Sequence, residues 1–243
     1  MKKIITTLAV IGAMSSVSAF AANTCTGLPT QAALKSALSA AIVDSANVNG
    51  GFGLNMWATV VNRDGEVCAV AMTGSDRGAQ WPGSRVISAQ KANTANAFSL
   101  PALALSTANL YTATQPDGSL FGLQESNPVN TSVAYAGPST AYGTVKDPMV
   151  GKKIGGVNVF GGGLALYNSS KTLIGAIGVS GDSSCADHNI AWSTRKTLLL
   201  DFVPAGVGPK GTDGIDYTTG SGWAHPVCSA AAKAASIKLG AGS

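Results

Sequence analysis

The strands of this chain come in pairs. "LNMWATVVNRDGEVCAVAM" holds two β-rich runs around Asp64-Gly65, and "VNVFGGGLALYN" with "KTLIGAIGVSG" holds two more around Asn168–Ser170. An Asp-Gly dipeptide between such runs sets a tight hairpin, and a hairpin makes its strands antiparallel. Helical patterns lie between and around the pairs rather than after each strand. The order reads α, β-β, α-α, irregular, β-β, α. That grouping predicts an α+β fold with an antiparallel sheet, not a doubly wound parallel one.

The first helix opens at Pro29-Thr30, with Ala33, Leu34, Ala37, Leu38, Ala41 and Ile42 at helical spacing. "SRVISAQKANTANAF" reads as a second helix with Ser84 as its cap. "PALALSTANLY" reads as a third, because Pro101 suits a first helical turn. Residues 113–156 are rich in Gly, Pro, Asn, Ser and Thr. A long irregular stretch inside a domain is usually functional or covers a site. Ser183–Asp201 is the last strong helix, with Ser184 and Asp187 at capping-box spacing. The tail from Pro204 is Gly-, Pro- and Ser-rich until the short helical run "SAAAKAASIKL". The expected division is a leader at 1–21, a domain at 22–203 and a C-terminal extension at 204–243.

Lys2 and Lys3, the short apolar run Ile4–Met14 and the Ala19-Phe20-Ala21 cleavage pattern together read as a secretory signal peptide, cut after Ala21. The run is too short to span a bilayer, which needs about 20 residues. The expected location is therefore periplasmic or secreted, with no membrane span. Of the net charge of +4, two units are Lys2 and Lys3, and no basic-aromatic stripe follows. A nucleic-acid partner is not implied. Four cysteines, Cys25, Cys68, Cys185 and Cys228, suggest two disulfides in an exported chain. Three connectivities are open. The favoured one joins Cys185 to Cys228, tying the tail to the body, and Cys25 to Cys68, tying down the N-terminus. No C-x-x-C or Cys/His spacing supports a thiol metal site.

Phosphate-loop and H-E-x-x-H patterns are absent from the sequence, and "GGVNVFGGG" opens no dinucleotide-binding helix. "GVSGD" comes near the G-x-S-x-G nucleophile elbow, with His225 and an aspartate such as Asp213 as partners for Ser180. Asp182 stands where the last glycine belongs, and the strand before it lies in an antiparallel hairpin. A serine hydrolase is the weakest of the readings.

The layout and the wording of three segments resemble the GlcG/HbpS-like family of haem-binding and proposed haem-degrading proteins. The segments are "VVNRDGEVCAVAM", "SRVISAQKANTANAF" with its K-A-x-T-A pattern, and "GGVNVFGGGLALYNSSKTLIGAIGVSG". The resemblance covers roughly Gln31–Asp201, and "CADHNIAW" looks like the same segment of secreted members. The resemblance implies a profilin-like α/β/α fold, a five-stranded antiparallel sheet with flanking helices, and a homo-oligomer. Four strands are legible, so a fifth is expected in the irregular middle. It also implies a haem ligand, with degradation as an activity open to the fold. Haem-binding members place a histidine near the first helix, whereas Thr30–Asn47 contains none. Ligation therefore does not carry over residue by residue.

The residues themselves offer a haem-edge constellation. His188 falls in the first turn of the last helix, where the dipole disfavours imidazolium, and a neutral imidazole is what iron needs. Trp192 lies one turn on and can stack on a flat ligand; Arg195 can meet a propionate. The competing reading makes His188 a satisfied core histidine and Trp192 core packing. Arg77, Arg85 and Lys91, with Trp81, form a candidate cationic rim for propionates or another small anion; the competing reading is a loop salt-bridged to Asp76. Met56, Met72, Tyr111, Tyr135 and Tyr142 are further axial-ligand candidates, and His225 beside Cys228 reads as structural. The alternative to haem binding is an extracytoplasmic interaction module of the same fold.

Overall fold

The first helix, α1 (Gln31–Ala41), starts where Thr30 Oγ1 accepts the Ala33 N–H, and a short α2 (Ser45–Asn49) follows it. Strands β1 (Trp57–Asn62) and β2 (Val67–Met72) form the first hairpin. Its turn is tightened by Asn62 Oδ1, which accepts the N–H groups of Asp64 and Glu66. Next come α3 (Ser84–Phe98), the short α4 (Tyr111–Thr114) and α5 (Thr131–Ala134). Strands β3 (Gly163–Tyr167) and β4 (Leu173–Ser180) make the second hairpin. The chain ends with α6 (Ser184–Thr197) and α7 (Ala230–Leu239). This computed structural model describes residues 25–243; the expected leader lies outside them.

The two hairpins join through β1 and β4 into one antiparallel sheet of order β2-β1-β4-β3. Helices cover both faces. Leu34 and Leu38 of α1 and Ile190 and Ala191 of α6 pack on Ala58, Val60, Leu164, Leu166, Ile177 and Val179. On the other face, α3 sets Val86, Ala89, Ala92 and Ala95 against Trp57, Val61, Val70 and Ala176. The period-2 alternation of β1 produces this division. Gly178 lets α3 approach closely, since a Cβ there would collide with the Ser88 carbonyl and the Ala92 amide.

The sheet has four strands, which corrects the expected five. The irregular middle does reach the outer edge of β2. Val67 N–H donates to the Lys152 carbonyl, and Gly151 N–H donates to Val67. The ladder then stops at isolated bridges, Glu66 to Lys153 and Val129 to Gly155. Gly155 and Gly156 both take positive φ, 64° and 81°, which turns the chain out of extended conformation.

Three local expectations shift. The helix expected from Pro101 begins later, as a 3-10 turn at Thr107–Leu110 leading into α4. Ser106 and Asn109 cap each other reciprocally there, while Leu100 and Leu103 pair through their backbones. Ser84 is the first residue of α3 rather than its cap; Gly83 precedes it with no side-chain cap bond. The cap of α6 is Ser183, whose Oγ accepts Ala186 N–H, while Asp187 Oδ1 accepts the Asp182 amide.

Both favoured cysteine pairs are at disulfide geometry, Cys25–Cys68 with Cα atoms 5.6 Å apart and Cys185–Cys228 with 6.0 Å. The tail lies on α6. Asn189 donates to the carbonyls of Asn49 and Ala232, and Ser236 donates to Asn189. No helix among the described residues is long and apolar enough to cross a membrane.

Candidate functional site

The α6 constellation assembles as a buried stack. His188 is 0% exposed. Its ring stacks on Trp192 with centroids 6.2 Å apart, and the Arg195 guanidinium lies 4.8 Å from the Trp192 ring centroid. Arg195 is already committed: it bonds both oxygens of Asp213, at 2.6 and 2.8 Å, and the Ala165 carbonyl at 2.9 Å. Neither nitrogen of His188 makes a well-formed hydrogen bond. Burial pushes its pKa down to about 3, Asp213 opposes that, and Arg195 and His225 add to it. The ring is therefore neutral at ordinary pH, enclosed between α6 and the tail.

His225 is also buried; its Nδ1 faces the Pro226 carbonyl at 2.8 Å and its ring lies 5.1 Å from Tyr111. Burial lowers its pKa to about 4. Ser180, His225 and Asp213 do not connect as a hydrolase triad, because the Asp213 carboxylate is held by Arg195 and His225 is held by backbone.

Of the cationic rim, Arg85 and Lys91 are buried and paired. Arg85 forks onto Asp147, donates to the Ala134 carbonyl and stacks on Tyr142 at 3.6 Å. Its partner is not the nearby Asp76 but a residue 62 positions on, which spacing alone did not reveal. Lys91 Nζ donates to Asp187 Oδ2 at 2.7 Å and the Val179 carbonyl at 3.1 Å. Burial raises the Asp187 pKa to about 6 even though Lys91 pulls it down. Arg77 is exposed and stands apart from these pairs.

Arg77 lines a cleft of about 500 Å³ with Trp57, Asp76, Pro82, Tyr135 and Tyr142. One wall is the loop between β2 and α3; the other comes from the irregular middle. Trp57 is fixed there by its indole N–H, which donates to the Trp81 carbonyl. Tyr142 donates its hydroxyl to the Ala136 carbonyl. Tyr135 is 62% exposed at the cleft. The cleft thus combines the exposed ring of Tyr135 and the part-buried ring of Tyr142 with the exposed guanidinium of Arg77, beside Asp76. The sequence signal that pointed here was the long irregular stretch itself; Tyr135 and Tyr142 stood out only as ligand types.

Among solved structures, the chain is similar to Klebsiella pneumoniae protein ORFY, at 24% identity and a TM-score of 0.46, over 70% of this chain and 90% of that one. It is also similar to a PduOC:haem complex, at 22% and 0.44 over 67% and 89%, and to HbpS, at 16% and 0.41 over 79% and 99%. A search of curated proteins gave no match. The sequence model for haem-degrading HbpS-like proteins matches residues 30–195, more than half of the chain. The chain belongs to the HbpS-like family of haem-degrading proteins.

Proposed function

We propose that this is an exported haem-binding protein, and that haem enters the cleft between the β2–α3 loop and the Tyr135–Tyr142 segment. The carrying observation is the aromatic lining with Arg77 beside it. A volume of about 500 Å³ lies within the range of small-molecule sites. Arg77 is the one rim cation not already held in a buried pair, so it is free to fork onto a propionate. Tyr135 offers a phenol oxygen, an axial-ligand type for haem iron. His188 is assigned a structural role in this reading, because the tail encloses it. Export is supported by the two cysteine pairs, since disulfides persist in oxidising compartments, and by the leader-like residues 1–21. Bound haem would supply a redox-active iron; the protein's residues would orient it and exclude water from its apolar face. Degradation and a homo-oligomeric state remain further proposals from the family.

The second reading, a module of this fold without haem, rests on the lack of a histidine in Thr30–Asn47. Haemin titration of the mature protein separates the two. A saturable Soret shift is expected, weakened roughly tenfold in Arg77→Ala, as loss of a charge-assisted bond of about 1.5 kcal/mol requires, and altered in band shape in Tyr135→Phe. A shift lost only in His188→Ala would move haem to the α6 stack. No saturable shift would leave the second reading standing.

A further inference from the structure

A second cavity, of about 310 Å³, lies where α3, the end of β4 and the start of α6 meet. Ser84, Ile87 and Lys91 occupy positions i, i+3 and i+7 of α3 and so share a helix face. Ser180 lies two residues after Gly178, so it shares the strand face on which α3 sits. These two periodicities bring Ser84, Lys91 and Ser180 to one cavity. Trp81, Phe160 and Ile87 supply its apolar walls.

The polar groups here are not all used. Ser84 and Ser180 are each only 4% exposed. Neither hydroxyl has a hydrogen-bond partner among the described residues, and neither stands among the sealed, unsatisfied atoms, so both open into the cavity. Ser84 is free because α3 takes no side-chain cap from it. Lys91 has three donors, and two are spent on Asp187 and Val179. The neighbouring acids are occupied. Asp182 accepts the backbone N–H groups of Phe52, Gly53, Leu54 and Ser183, and Asp187 accepts from Lys91 and Asp182. The cavity therefore presents two unpartnered hydroxyls, with Lys91, paired to Asp187, in its wall beside the aromatic rings. A ligand oxygen entering the cavity could accept from these hydroxyls without displacing any bond within the protein.

We propose that this cavity binds a small carboxylate with an apolar or aromatic body, its oxygens held by Ser84, Ser180 and Lys91. The site is separate from the Arg77 cleft and does not depend on haem. Benzoate is the probe, and benzamide, of the same shape without the charge, is its control. Both are titrated into the mature protein by NMR and calorimetry. Benzoate should bind at least roughly tenfold tighter than benzamide, and the Ser84→Ala/Ser180→Ala double variant should lose at least roughly tenfold in benzoate affinity, about 1.4 kcal/mol. Its melting temperature and haemin titration should match those of the parent. Absence of benzoate binding at about 10 mM, equal affinity for benzamide, or unchanged affinity in the double variant would each overturn the proposal. Should the double variant melt early, the single Ser180→Ala variant decides by the same comparison.

Discussion

Asp213→Ala should lower the stability of this protein by about 3–5 kcal/mol, the cost of leaving one member of a buried ion pair alone. Arg195 and Asp213 have side chains 1% and 0% exposed, and two Nη donors meet two carboxylate oxygens. Without the carboxylate, the guanidinium retains one carbonyl bond to Ala165 and its contact with Trp192. Neither neutralises a buried charge, and the Nε already lacks a partner. For a chain of this length the expected drop in melting temperature is roughly 10 °C, read by far-UV circular dichroism. The pair also joins the tail to α6, so residues 204–243 should become protease-sensitive before the sheet does. Adding Arg195→Met should recover most of the loss, because an apolar replacement for a buried pair is often neutral. A drop below about 1 kcal/mol in Asp213→Ala would mean that water reaches Arg195.

Why the tail matters this much was not legible in the sequence. Hairpins and long helices were, since their signals are local: an Asp-Gly turn, an apolar period, a serine before a helix. Of the three pairings open to four cysteines, the one that ties down both the tail and the N-terminus was favoured. Arg85–Asp147 and Arg195–Asp213 are different, joining residues 62 and 18 positions apart through loops with no period. The competing reading put Asp76 against the cationic loop, yet the carboxylate that Arg85 meets in space is Asp147. The same applies to the cleft, whose two walls come from separate irregular segments. His188, Trp192 and Arg195 share one helix face, because helical geometry alone places them there. Which way that face points depends on the tail, and nothing local in the tail announces it. The missing fifth strand has a local cause that was present as "GKKIGG", whose glycines end the edge pairing after a few bonds.

Acid should destabilise the protein through its two buried histidines. Burial holds His188 at about 3 and His225 at about 4, whereas an unfolded histidine titrates near 6.5. For a depressed histidine the folded state prefers the neutral ring. The unfolded chain therefore takes up protons first, and stability falls as pH drops below about 6.5 and continues to fall until each folded pKa is reached. At two pH units below 6.5, two such groups cost on the order of 5 kcal/mol. Asp187 acts in the opposite direction. Raised to about 6, its folded form holds a proton that the unfolded carboxyl lacks, so it regains on the order of 2 kcal/mol between about pH 6 and 4. The net is a loss, concentrated between about pH 6 and 4.5. Urea unfolding at pH 7.5 and 4.5 measures it. His188→Leu should be close to the parent at pH 7.5, because the ring's nitrogens have no well-formed bonds to lose. Its loss on acidification should be smaller than the parent's by roughly 2–3 kcal/mol. An unchanged pH dependence in His188→Leu would mean that the folded protein protonates this ring near its ordinary pKa. Water would then reach it, and the α6 stack, rather than the Arg77 cleft, would be the place to look for an iron ligand.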